Sequence, residues 1–120
     1  MRNFDQPGRS PAVAANGMAA TSSPLATLAA VDSLRAGGNA IDAAVATAAV
    51  LMTVKPWSGH LGGDTFMLFH HAPSGKTVAL NGNGAAPGAA TLDHYRALGA
   101  IPDSGLPAAT VPGTVRCWAT

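Results

Sequence analysis

The chain has 120 residues, 48% of them hydrophobic and 11% charged, with a formal net charge of +1 at pH 7. That balance leaves no electrostatic footprint for nucleic acid or for an acidic membrane surface. A single cysteine, Cys117, excludes an internal disulfide framework and a zinc site built on cysteines.

Alanine is the largest part of the apolar fraction, and aromatics make up 5%. Burial stabilises by about 25 cal/mol per Å², so methyl side chains give a weak core for this length. The composition therefore reads as one layer of a larger protein. Residues 1–11, rich in Pro, Gly, Asn and Arg, are expected to form a lead-in. No apolar signal-peptide core follows Met1, which makes a cytoplasmic location the expectation. The longest apolar run, Ile41 to Val54, is shorter than the roughly 20 residues that span a bilayer, and it contains Asp42.

The stretch Val13 to Thr21 predicts a strand of small apolar residues, with Gly17 marking a close backbone approach. Ser22-Ser23-Pro24 then supplies an N-cap and a proline at the first helical position. The helix expected over Pro24 to Ala36 carries Leu25, Leu28, Val31 and Leu34 on one broad face, with Arg35 in its last turn and Gly37 as its stop. Asn39 caps a second helix, with Asp42 placed for a capping box. Ile41, Ala44, Val45, Ala48 and Met52 keep helical spacing, yet most other positions are apolar too. Such a helix is expected to be buried on most sides, with Ala44 and Ala48 admitting close neighbours. Gly37-Gly38 joins the two helices in an αα-hairpin, and Pro56 ends the second.

Thr65 to His71 predicts a buried strand. Pro73-Ser74-Gly75-Lys76 turns the chain, and Thr77 to Leu80 returns as its hairpin partner. Asn81-Gly82-Asn83-Gly84 is expected to stop that strand. Thr91 caps a short helix over Leu92 to Leu98, closed by Gly99. A Pro- and Gly-rich loop fills Ala100 to Gly113, and Thr114 to Thr120 opens a further helix.

Three chemistries suggest themselves and fail on spacing. Gly59-His60-Leu61-Gly62-Gly63 lies between a helix and a strand, the reverse of a phosphate loop, so a tight turn is the better reading. His60, His70, His71, His94, Asp64 and Asp93 contain no helical ligand pair, and His70 and His71 point to opposite strand faces. No metal or cofactor is expected. Ser58-Gly59-His60 holds two residue types of a serine triad but lacks the Gly-x-Ser-x-Gly elbow.

The ordered pieces do resemble a known family. Gly17-Met18-Ala19-Ala20-Thr21-Ser22 with Pro24-Leu25-Ala26-Thr27, Gly37-Gly38-Asn39-Ala40-Ile41-Asp42-Ala43-Ala44-Val45-Ala46, and Ser58-Gly59-His60-Leu61-Gly62-Gly63-Asp64-Thr65-Phe66-Met67-Leu68 come first. Ala86-Pro87 with Ala89-Ala90-Thr91, and Val111-Pro112-Gly113-Thr114-Val115 leading to Trp118, complete the run. Together they resemble the opening of the heavy chain of the gamma-glutamyltransferase family of N-terminal-nucleophile hydrolases.

The resemblance implies a mixed α/β (α+β) fold, with residues 1–120 as the N-terminal portion of a four-layer αββα architecture. It implies a precursor that cleaves itself, and a threonine nucleophile downstream of Thr120 whose own α-amino group serves as base. The partners implied are the rest of the heavy chain, the small catalytic chain and a small γ-glutamyl or related amide substrate. No residue of this chain is assigned a catalytic role. The family's carboxylate-gripping arginine falls on Asn83 in one alignment and on Ala85 in another, so Asn83, Gly84 and Ala85 are the candidate substrate-binding residues. Neither position holds arginine, and a charge-assisted pair worth roughly 1.5–3 kcal/mol is absent from that loop. Glutamyl specificity, a related acylase or amidohydrolase specificity, and a non-catalytic binding or structural module all remain open at this level.

Overall fold

The structure, a computed structural model, describes residues 10–120. Most of the lead-in expected at 1–11 lies outside them. The elements in order are α1 (Pro24–Arg35), α2 (Ala40–Val54), β1 (Thr65–His71), β2 (Lys76–Gly82), α3 (Leu92–Leu98) and α4 (Thr114–Trp118), with single 3-10 turns at Ala72–Ser74 and Leu106–Ala108.

The strand expected over Val13 to Thr21 does not form; the sheet among the described residues consists of β1 and β2. Strand geometry needs a ladder partner, and this stretch lies beside helices instead. Met18, Ala19, Ala20 and Thr21 border a cavity of about 330 Å³ above the α1–α2 seam. The close approach at Gly17 does occur, since a β-carbon there would sit 3.3 Å from Leu34 Cδ1.

Pro24 opens α1 as expected, but the Ser23 side chain makes no capping hydrogen bond. Thr21 braces the residue before the helix instead: its hydroxyl donates to the Ser23 carbonyl (2.6 Å), accepts from the Ser23 amide (3.1 Å) and lies 2.9 Å from Thr27 Oγ1. The face buried against α2 is Ala26 and Ala30, whereas Leu25 and Leu28 are exposed. Methyl side chains four residues apart let the helix backbones approach, and a leucine stripe does not. Gly37 ends the turn with φ +91°, a conformation that suits glycine.

At α2 the capping box is complete. Asn39 Oδ1 accepts from the amides of Ile41 (2.7 Å) and Asp42 (3.1 Å), and Asp42 Oδ2 accepts from the Asn39 amide (2.8 Å). The helix is not buried on most sides within this chain: Ala43 is its buried residue, Ala44 is exposed and Ala48 partly buried. The α1–α2 packing buries Ala43, one position from Ala44, together with Ala26 and Ala30. A second face, with Ile41 and Val45, looks across a cavity of about 350 Å³ to Met67, Phe69, Val78 and Leu80 of the hairpin.

The hairpin is antiparallel, with Thr65 opposite Gly82 and His71 opposite Lys76. Alternation sends Met67 and Phe69 inward, and leaves Phe66 and Leu68 on the outer face at 69% and 74% exposure. The strand expected to be buried is thus covered on one face within this chain. β2 also runs on through Asn81 and Gly82, which pair with Phe66 and Thr65. Glycine continues the strand there because α4 crosses it closely, and a side chain at Gly82 would collide with Cys117 and the Thr65 carbonyl. Thr91 caps α3 through the His94 amide (3.2 Å), and Gly99 follows the helix.

Candidate functional site

Gly63–Thr65, Asn81–Ala85 and Thr110–Thr114 converge at the open end of the hairpin, where β1 begins and β2 ends. The Gly63 carbonyl accepts from the amides of Gly113 (3.0 Å) and Thr114 (3.1 Å) and from the Thr114 hydroxyl (2.8 Å). The Thr65 hydroxyl in turn donates to Thr114 Oγ1 (3.1 Å), so the fully buried Thr114 side chain has both a donor and an acceptor. These bonds seat the Val111–Gly113 loop against the glycine turn and start α4 over the strand end.

Asp64 extends the knot to the candidate loop. Its Oδ1 accepts from the Gly84 amide (2.7 Å), and its Oδ2 accepts from the Thr110 hydroxyl (2.9 Å). The loop is shaped from within by Asn81, whose Oδ1 accepts from the Asn83 amide (3.0 Å). Across from it, the Val111 amide donates to the Ala85 carbonyl (3.0 Å).

Asn83, Gly84 and Ala85 do come together with Val111, Arg116 and Cys117 around a groove of about 270 Å³. The loop itself brings no positive charge to that groove. Arg116 of α4 does, and it makes no ion pair among the described residues; Arg35 and Arg96 each face an aspartate at 3.5 and 3.9 Å. Among the described residues no aspartate or glutamate lines the groove and Arg116 is its one charged side chain, while the Asn83 and Gly84 amides of the loop are already taken by Asn81 and Asp64.

The other sequence candidates stay apart. The Gly63 amide donates to the His60 carbonyl (3.1 Å), which makes the glycine stretch a tight turn. Ser58 and His60 border a second cavity of about 260 Å³ beside α2, which Asp64 also borders, but both Asp64 oxygens are taken by Gly84 and Thr110 rather than by His60. His70 Nδ1 lies 3.0 Å from Thr77 Oγ1 and His71 Nδ1 lies 2.8 Å from Ser74 Oγ, so both rings are engaged locally in the hairpin. Among the described residues no three His, Cys, Asp or Glu side chains gather as a metal site.

Two residues of the site escaped the sequence reading, Asp64 as the loop's anchor and Arg116 as the groove's cation. An acid set between glycines and a strand was a usable sign for Asp64. Its partners lie 20 and 46 residues away in the chain, beyond the reach of any local pattern.

The family model described as Gamma-glutamyltranspeptidase matches residues 26–120. The oxamate amidohydrolase proenzyme of Klebsiella pneumoniae is 44% identical over 107 residues, which are 88% of this chain and 20% of that protein. The glutathione hydrolase proenzyme of Pseudomonas sp. strain A14 is 38% identical over 118 residues, 94% of this chain and 20% of that protein. The crystal structure of Helicobacter pylori gamma-glutamyltranspeptidase superposes with a TM-score of 0.80 at 38% identity, over 91% of this chain and 32% of that one. The chain spans about a fifth of the length of these curated relatives. With a family match over most of its length and the same mixed helix and strand fold, the chain belongs to the gamma-glutamyltranspeptidase family.

Proposed function

We propose that this chain is the N-terminal segment of an enzyme that removes an acyl group from an amide, by hydrolysis or by transfer to an amine. A threonine hydroxyl supplied downstream attacks the amide carbonyl, the amine departs carrying a proton from the threonine's α-amino group, and water or a second amine releases the acyl-enzyme. The remainder of the heavy chain and a small catalytic chain are its partners in that activity. Asn83, Gly84 and Ala85 form part of the wall that meets the acyl group. The observation that carries this reading is the loop's geometry: Asp64, Asn81 and Val111 hold it open as one side of a groove.

The acyl group is a γ-glutamyl group or a related one. The absence of arginine at Asn83 and Ala85, and the 44% identity to an oxamate amidohydrolase proenzyme, favour a specificity shifted away from glutamyl amides. The test is selectivity of the full-length enzyme. Asn83→Arg or Ala85→Arg is expected to raise kcat/KM about tenfold for a γ-glutamyl anilide relative to an acyl anilide lacking the α-carboxylate. A gain in folding would help both substrates alike, whereas a new carboxylate contact helps one. An unchanged ratio for both variants removes this loop from the acyl pocket.

A further inference from the structure

Asp64 sits on the glycine turn, outside the groove, and yet among the described residues it is the one side chain that grips both rims. An ionised carboxylate is acceptor-only, and here each oxygen has one donor: the Gly84 amide at 2.7 Å and the Thr110 hydroxyl at 2.9 Å. Gly84 is the centre of the candidate loop, and Thr110 adjoins Val111, whose amide holds Ala85. The glycine turn is itself pinned, since the Gly63 carbonyl next to Asp64 takes three donors from Gly113 and Thr114. A fixed carboxylate between two loops sets the distance between them.

We propose that Asp64 is a positioning residue for substrate binding: by holding the Gly84 amide and the Thr110 hydroxyl at once, it fixes the width of the groove that receives the acyl group. It acts through the backbone of the loop and touches no substrate. The proposal rests on the reading that Asn83–Ala85 meets the acyl group. Asp64 is exposed, so solvent screens its two charge-assisted bonds, and it seats the loop together with the Asn81 side chain and the Val111 amide. Steric fit reinforces the placement, because any β-carbon at Gly84 would press on Asp64 Oδ1 at 3.3 Å. Thr110 contributes the second anchor from the far rim.

The experiment uses the full-length enzyme and whichever of γ-glutamyl anilide, glutathione or oxamate it hydrolyses fastest. Asp64→Ala frees both rims and is expected to raise KM about tenfold with kcat within twofold to threefold. Thr110→Val cuts one anchor and is expected to raise KM about threefold. The double variant is expected to match Asp64→Ala alone, since both changes remove the same link. Asp64→Asn is expected to recover most of the loss, because its amide oxygen still accepts from Gly84 and its NH2 group donates to the Thr110 oxygen. A fall in kcat at unchanged KM, or additive effects in the double variant, overturns the proposal. If Asp64→Ala fails to fold, Thr110→Val and Asp64→Asn carry the test, and an unchanged KM in Thr110→Val overturns it. Asn83→Arg and Ala85→Arg separate the two failures: if they alter selectivity while Thr110→Val leaves KM unmoved, the loop is the site and Asp64 does not position it. If no substitution at Asp64, Thr110, Asn83 or Ala85 matters, the loop reading falls and the proposal falls with it.

Discussion

A β-carbon on Gly84 would overlap the Val111 carbonyl, so this position admits no side chain without moving a loop. Gly84→Ala is expected to destabilise the full-length protein by about 1–3 kcal/mol, the usual cost of overpacking. Gly88, four residues on, has nothing within 4 Å of such a carbon. Gly88→Ala is therefore expected to stay within about 0.5 kcal/mol of wild type. Chemical denaturation of the two variants side by side checks the contrast, and equal midpoints would mean that the Gly84–Val111 approach is loose. The same comparison shows why sequence could not rank these glycines. Both lie in one Gly- and Ala-rich run, and what separates them is a loop 27 residues downstream.

Among the elements, those whose ends are fixed by nearby residues were legible. Asn39 with Asp42 and Thr91 before α3 each use partners within one helical turn, and Pro24 starts α1 through its own ring. Elements decided by distant packing were not. Nothing local says that Gly82 remains in β2, because the reason is α4 lying across it. The α1–α2 seam depends on distant packing too: in the alanine-rich α2 periodicity does not choose a face, and in α1 the Leu25, Leu28, Val31 and Leu34 stripe it chooses is not the face that is buried. The structure chooses Ala26, Ala30 and Ala43. Ala30, 2% exposed, has no room for a larger group, and Ala30→Leu is expected to cost about 1–3 kcal/mol by overpacking. The exposed Ala44 makes the internal control on the neighbouring helix. Ala44→Leu in a seam-only view of α2 is expected to be near neutral, so a thermal midpoint that falls for Ala30→Leu alone supports the observed register. A drop for Ala44→Leu in the full-length protein would show instead that downstream elements cover that face.

At the scale of the whole molecule, the chain exposes far more surface than a self-contained domain of its mass. Its accessible area is 9170 Å², against about 6,000 Å² for a folded monomer of this size. The radius of gyration is 18.4 Å, against about 13.6 Å for a compact chain of this length. Among the described residues the buried apolar side chains are three alanines and Cys117, while Phe66 and Leu68 stand out on the sheet's outer face. An αββα fold needs a second sheet on that face, so this surface fits a segment of the family fold. The chemistry agrees with the packing. Thr110 is tied to Asp64, Thr114 is fully buried with its hydroxyl on the Gly63 carbonyl, and the Thr120 hydroxyl donates to the Arg116 carbonyl. Each hydroxyl is committed to a structural bond, and none is paired with an amine base. The purified 120-residue chain is therefore expected neither to hydrolyse nor to transfer γ-glutamyl groups. The measurement is chromophore release from a γ-glutamyl anilide against a heat-killed control, with a hydrophobic dye reporting the uncovered sheet face in the same sample. Dye binding without turnover is the expected pair of results. Turnover above the control would place a nucleophile within these residues and overturn the assignment of catalysis to a downstream threonine.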